Sequence, residues 1–128
     1  MAGLLLDTNV LIALIGETPL PVAMKDAISA PGAQLVVSVA SLWEIAIKSR
    51  LGKLRLRFPV EALGDFVDGI GATLLVIDAA HAVTAAEPEP PTRDPFDRLL
   101  LAQCQVEDLR LVTLDRALAG HPLAWRKE

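Results

Sequence analysis

The stretch Leu4-Leu5-Leu6-Asp7-Thr8-Asn9-Val10-Leu11-Ile12 constrains the fold of this 128-residue chain more than any other. Three consecutive leucines show no alternation, so they read as a short strand buried on both faces, the habit of a central parallel strand. Asp7 falls where that strand should end. Thr8 or Asn9 can then cap a helix that runs on through Val10, Leu11, Ile12, Leu14 and Ile15. A carboxylate at the carboxyl end of a central strand points into the crevice where open α/β sheets bind ligands. It could equally serve only to stop the strand and cap the helix, and on this stretch alone the two readings are level.

The same unit recurs along the chain. Gln34 to Ser38 reads as a second buried strand, Thr73 to Ile77 as a third and Leu109 to Leu114 as a fourth. Between them the apolar residues recur at helical spacing over Leu20 to Ala30, from Ser41 to about Leu51 with Gly52 as the stop, and over Pro59 to Ile70. Asp78 can cap a short helix through His81 and Val83, for which a capping or packing role for His81 is favoured over catalysis. A longer apolar helix, Leu99 to Val106, follows Arg93-Asp94-Pro95-Phe96-Asp97-Arg98. Arg116 to Ala119 reads as one helical turn, and His121 to Trp125 as a short last strand or edge. Alternation of this kind gives the α/β class: one domain over residues 1–128, with a central parallel sheet of four to five strands flanked by helices. Right-handed crossovers carry the second and third strands to one side of the first. The fourth must then neighbour the first on its other side, which puts the switch point between them and brings Asp7 close to Asp115.

Composition narrows the function classes. With 52% hydrophobic residues the chain is globular rather than disordered, and with 4% aromatics and no tyrosine it has no aromatic platform for single-stranded nucleic acid. Sixteen acids against twelve Lys and Arg give a net charge of −4, which does not advertise a nucleic-acid partner but leaves room for one where metal neutralises an acidic site. The single cysteine, Cys104, excludes an internal disulfide and a thiolate zinc cluster and reads as a small core residue. No stretch approaches a membrane span and no signal-peptide pattern opens the chain, so a cytoplasmic protein is expected. The marked positive run is Lys48, Arg50, Lys53, Arg55 and Arg57. A solvated helix end accounts for it, and a phosphate-facing edge is the functional alternative. Glu87 to Thr92 is a proline-rich loop expected to be exposed and extended.

Each acid that could join Asp7 has a structural explanation of its own. Ser41-x-x-Glu44 matches a capping box, and Lys48 lies four residues on from Glu44. Asp94 can be the N-cap of a helix with Pro95 at its first position and Asp97 complementing its dipole; Asp115 can cap the turn after it. Jointly these explanations account for less. Asp7 and Asp115 each follow a central strand, and Glu44 and Asp97 each lie in the first turn of a helix entered from the carboxyl edge of the sheet. Four carboxylates in one crevice repel one another unless a cation is present. Oxygen donors in small number suit Mg²⁺ or Mn²⁺, and such a site activates water for in-line displacement at a phosphodiester.

Leu-Leu-Asp7-Thr8-Asn9-Val-Leu-Ile, Ser41-Leu-Trp-Glu44-Ile-Ala-Ile-Lys48, Arg93-Asp94-Pro-Phe-Asp97-Arg98-Leu-Leu-Leu-Ala-Gln103 and Leu-Val-Thr113-Leu-Asp115-Arg together resemble the motifs of PIN-domain nucleases, most closely the VapC-type toxins of bacterial toxin–antitoxin pairs. The resemblance spans nearly the whole chain in order and spacing. It implies a Mg²⁺- or Mn²⁺-dependent endoribonuclease that hydrolyses RNA with a metal-activated water, often as a homodimer and held inactive by a cognate small antitoxin protein. Carried over, Asp7, Glu44, Asp97 and Asp115 match the acidic quartet, with Asp7, Asp97, Asp115 and the additional Asp94 as metal ligands, Asp94 being open between ligand and helix cap. Asn9 and Thr113 match polar positions that orient those ligands. Lys48, Arg50, Lys53 and Arg55 then become candidates for gripping the RNA backbone. The chain departs from the subgroup at Glu-Pro-Glu-Pro-Pro-Thr, where Leu-Pro-x-x-His is frequent.

Other classes are a PIN domain acting in RNA processing or as a binding module without catalysis, and a phospho-receiver signalling domain. The last needs an acceptor aspartate after the third strand, for which Asp78 could stand, and a lysine late in the chain. No lysine occurs between Lys53 and Lys127, so this rival is weak.

Overall fold

In a computed structural model that describes residues 2–127, the four strands β1 (Gly3–Leu6), β2 (Leu35–Ser38), β3 (Thr73–Leu75) and β4 (Leu109–Val112) form one sheet in the order β3-β2-β1-β4. All three pairings are parallel. This is the expected arrangement, with the topological switch between β1 and β4. The Asp7 amide prolongs the β1–β4 ladder by donating to the Val112 carbonyl at 2.9 Å. A parallel bridge from Leu111 to Ala124 adds the expected last edge segment without a full fifth strand.

Successive leucines of β1 serve opposite faces, as the two-residue period of a strand requires. Leu4 and Leu6 join Leu35, Val37 and Val112 in a core shared with α1 (Thr8–Ile15), α2 (Val22–Ser29) and α4 (Leu63–Gly69). Leu5 joins Val36, Leu109 and Leu111 on the other face, beneath Leu100, Leu101 and Cys104 of α6 (Pro95–Glu107) and Leu118 of α7 (Arg116–Ala119). The helix α3 (Val39–Arg50) follows β2 with no loop and packs against both α1 and α6. Cys104 is fully buried, and burial pushes its thiol up to about 12, so it is an inert core residue as expected.

Two expectations need correction. The third strand is not buried: it is the sheet edge, three residues long, and Thr73 and Leu74 are exposed. The segment from Pro59 to Ile70 is not one helix. It opens with a 3₁₀ turn at Val60–Ala62, in which the last amide, that of Ala62, reaches back to the Pro59 carbonyl, before α4 begins. Among the described residues no helix is long and apolar enough to cross a membrane.

Candidate metal centre at the carboxyl edge of the sheet

Asp7 is 3% exposed and is itself the N-cap of α1, the structural role the sequence allowed it, so neither Thr8 nor Asn9 is the cap. Its Oδ1 accepts from the Thr8 amide at 2.8 Å and its Oδ2 from the Thr113 hydroxyl at 2.6 Å. Thr113 accepts in turn from the Asp115 amide at 3.0 Å, so one hydroxyl ties the end of β1 to the turn after β4. Asn9 closes the same seam from α1, its Oδ1 accepting from the Leu114 amide at 3.2 Å. Asp115 caps α7 through the Ala117 amide at 2.9 Å. Capping occupies one oxygen of Asp115 and leaves the carboxylate only partly covered.

Glu44 loses the capping-box explanation that the sequence offered it. The helix begins at Val39 rather than Ser41, because Ser38 at the end of β2 is the N-cap, accepting from the Ala40 amide at 3.1 Å. Ser41 is buried and accepts instead from the Thr8 hydroxyl at 2.9 Å. No capping box forms, and Glu44 lies in the second turn of α3 rather than the first. Lys48 pairs with it at 2.9 Å, one turn on, as expected from the spacing.

Asp94 is exposed and caps α6, accepting from the Phe96 amide at 2.8 Å, with Pro95 at the first helical position. Asp97 is in the first turn of α6, where Thr92 donates to its Oδ2 at 3.2 Å. Sequence reasoning passed over Thr92. The signal was its place two residues before Asp94, whose amide donates to the same hydroxyl at 3.1 Å, a common local use of threonine. The loop that carries Thr92 is pinned rather than free: Arg98 bonds Glu89 and the Thr92 carbonyl, His121 bonds the Pro88 carbonyl at 2.7 Å, and Pro90 is buried.

These acids act on one another. Burial raises the Asp7 carboxyl above its ordinary 3.8, against the pull of the Thr113 and Thr8 hydrogen bonds, and the charges of Glu44 and Asp115 raise it further. Asp97 is pushed up to about 6, first by burial, then by the charges of Asp94 and Asp7, with Asp115 adding to them and the Thr92 hydroxyl opposing. Asp7, Glu44, Asp97 and Asp115 thus lie near enough for their charges to act on one another, as does Asp94 on Asp97; among the described residues they do not form a group as tight as Asp78, His81 and Glu107.

Asp78, His81 and Glu107 form a different group, with ligand atoms all within 4.8 Å of one another, close enough to share an ion. Glu107 ends the helix in whose first turn Asp97 lies, about 15 Å away at 1.5 Å per residue. His81 completes a capping box: its Nδ1 accepts from the Asp78 amide at 3.1 Å, and its own amide donates to Asp78 Oδ1 at 3.0 Å. Nε2 then carries the proton and donates to Glu107 at 2.8 Å. Both ring nitrogens are spent on the protein, in keeping with the capping role expected of His81.

The basic run divides. Lys48 is held by Glu44, and Arg57 donates to the Ile15 carbonyl at 2.6 Å at the far end of α1. Arg50, Lys53 and Arg55 are exposed.

The family model described as PIN domain matches residues 4–121, which takes in every acid of this cluster. No individual curated protein matches the chain. PIN domains are typically metal-dependent nucleases, and by the extent of that match the chain belongs to the PIN domain family.

Proposed function

We propose that the protein is a Mg²⁺-dependent endoribonuclease, with Mn²⁺ as the alternative ion. One observation carries the reading: Asp7 is kept buried among like charges although burial and its neighbours both work against its ionisation. A fold keeps such a carboxylate where a cation offsets the cost. The donors are all carboxylate oxygens, which fits a small hard cation better than zinc or copper. Asp7, Asp97 and Asp115 would hold the ion, with Asp94 able to add an oxygen while it caps α6, and Glu44 near enough for its charge to act on Asp7. When bound, the ion supplies positive charge at the scissile phosphate and a more acidic water. The chain's own part is to fix the acids. Thr113 orients Asp7 and the Asp115 backbone together, Asn9 clamps the turn that carries Asp115, and Lys48 restrains Glu44. Lys48, Arg50, Lys53 and Arg55 are proposed to meet the RNA backbone.

The closer resemblance to VapC-type toxins supports a finer reading: a toxin component, homodimeric, restrained by a small antitoxin protein. Its support is the pair of boxes Ser41-Leu-Trp-Glu44 and Arg93-Asp-Pro-Phe-Asp-Arg98. Expression with its native gene neighbours should co-purify a small partner that inhibits cleavage; recovery of the chain always alone counts against the toxin role. For the nuclease itself, structured RNA should be cut in Mg²⁺, spared in EDTA and cut again when Mg²⁺ is restored. Cleavage that survives EDTA, or that an Asp7→Asn preparation reproduces in full, overturns the assignment.

Thr113→Val tests the orienting role. The substitution leaves Asp7 Oδ2 without its hydroxyl donor and the Asp115 amide without its acceptor. Turnover should fall by about 10- to 100-fold, the usual range for a partner of a metal ligand. Stability should drop by about 1–3 kcal/mol through the unsatisfied buried groups. Equal turnover in matched urea-stable preparations would remove Thr113 from the machinery.

A further inference from the structure

Trp43 is 62% exposed, an unusual state for the largest apolar side chain, and it directly precedes Glu44. Its ring meets Phe96 edge-to-face, with centroids 5.8 Å apart and planes at 67°. Phe96 stands between Asp94 and Asp97, so the indole is anchored to the element that delivers two acids of the candidate centre while it adjoins a third. The edge-to-face contact does not stack the two rings, and most of the Trp43 surface stays open to solvent. Seven residues on, Arg50 lies on nearly the same stripe of α3, about 20° round the helix and about 10 Å along it. Arg50 is exposed.

We infer that Trp43 stacks on a base of the RNA next to the acidic cluster and so places the strand across it. The inference rests on the RNA-facing half of the nuclease reading. An exposed indole about two helical turns from an exposed guanidinium on the same stripe suits a nucleotide chain, which offers a base to the one and a phosphate to the other. The core of a protein interface is depleted of carboxylates, whereas this indole precedes Glu44 in the chain and packs on Phe96, which stands between Asp94 and Asp97. One aromatic suffices to hold one base, so the low aromatic content that excludes an extended stacking platform does not exclude this contact.

The chain has two tryptophans, Trp43 and Trp125. In a Trp125→Phe background the fluorescence therefore reports Trp43 alone. Titration with a short single-stranded oligoribonucleotide, with Ca²⁺ in place of Mg²⁺, should quench it saturably. Trp43→Ala should weaken binding by about 5- to 150-fold, the effect of losing one stacked base, while Trp43→Phe should keep most of the affinity. In Mg²⁺ the alanine variant should show the loss in KM rather than in kcat. Unmoved fluorescence with equal affinity in Trp43→Ala overturns the inference. So does a Trp43→Ala variant that changes from dimer to monomer in sedimentation yet binds RNA as before, which assigns the indole to a protein interface. Quenching by RNA without Mg²⁺-dependent cleavage supports the stacking and sinks the nuclease; cleavage with KM unmoved in Trp43→Ala does the reverse.

Discussion

Asp7→Asn should slow RNA cleavage by about a hundredfold or more and, in metal-free buffer, raise the melting temperature. Both effects have one cause. Asp7 is almost completely buried, and burial, with Glu44 and Asp115 nearby, lifts its carboxyl above the ordinary 3.8. A carboxyl that holds its proton more tightly folded than unfolded costs stability once pH has passed from the unfolded value through the folded one. The cost grows as pH rises above the unfolded 3.8 and through the folded value. Asparagine keeps an oxygen for the Thr8 amide and can present its amide to the Thr113 hydroxyl, so the cap survives while the charge goes. The lost charge also removes a ligand for a cation that is worth several kcal/mol to the reaction, so the rate should fall by about a hundredfold or more. Millimolar Mg²⁺ should raise the wild-type melting temperature through selective binding to the folded state and leave Asp7→Asn unmoved. A variant that melts lower than wild type in EDTA, or a wild type indifferent to Mg²⁺, would contradict the argument.

The sheet order was legible because it rests on rules that act through the backbone. Apolar runs too short for helices, right-handed crossovers and the need to cover both faces leave β4 beside β1. Burial of each strand was not legible in the same way. Thr73-Leu74-Leu75 has the composition of an inner strand, and only the sheet order makes it an edge. Helix starts failed where the chain passes from strand to helix without a loop. Ser38 and Ser41 are both competent caps, and the acid three residues after Ser41 made the wrong one look better. The structure gives the cap to Ser38 because β2 ends there, and Ser41 turns inward to Thr8.

The same difference governs the candidate centre. Asp7 and Asp115 could be paired from topology, since the ends of adjacent parallel strands lie side by side. Their link through the Thr113 hydroxyl depends on a rotamer, which sequence does not state. Thr92 and Trp43 lay in stretches read for other features, a proline-rich loop and a helix start, and their part emerges only when α3 and the start of α6 are seen to converge. Sequence also offered Glu44 a capping role beside its place in the quartet; with Ser38 as the N-cap, that account is gone.

Asp97 sets a pH limit that should be measurable in both stability and activity. Burial first, then the charges of Asp94, Asp7 and Asp115, push its carboxyl up to about 6, and the Thr92 hydroxyl only partly opposes them. Because the folded value exceeds the unfolded 3.8, the folded state gains from protonation, and that gain is lost as pH rises toward 6. Without metal, Asp97→Asn should melt like wild type near pH 4, pull ahead of it up to about pH 6 and keep a constant lead above. Salt should narrow the lead, since the Asp97 carboxylate is only half buried and part of its shift comes from neighbouring charges. Activity runs the opposite way, because a proton on Asp97 competes with the cation. Cleavage by wild type at fixed, subsaturating Mg²⁺ should climb through about pH 6 to a plateau. Thr92→Val removes the donor that favours the charged form, so it should carry that acid limb to higher pH while leaving the plateau rate close to wild type. A limb that stays in place in Thr92→Val, or a flat profile between about pH 5 and 7, would show that Asp97 is not the group that admits the metal.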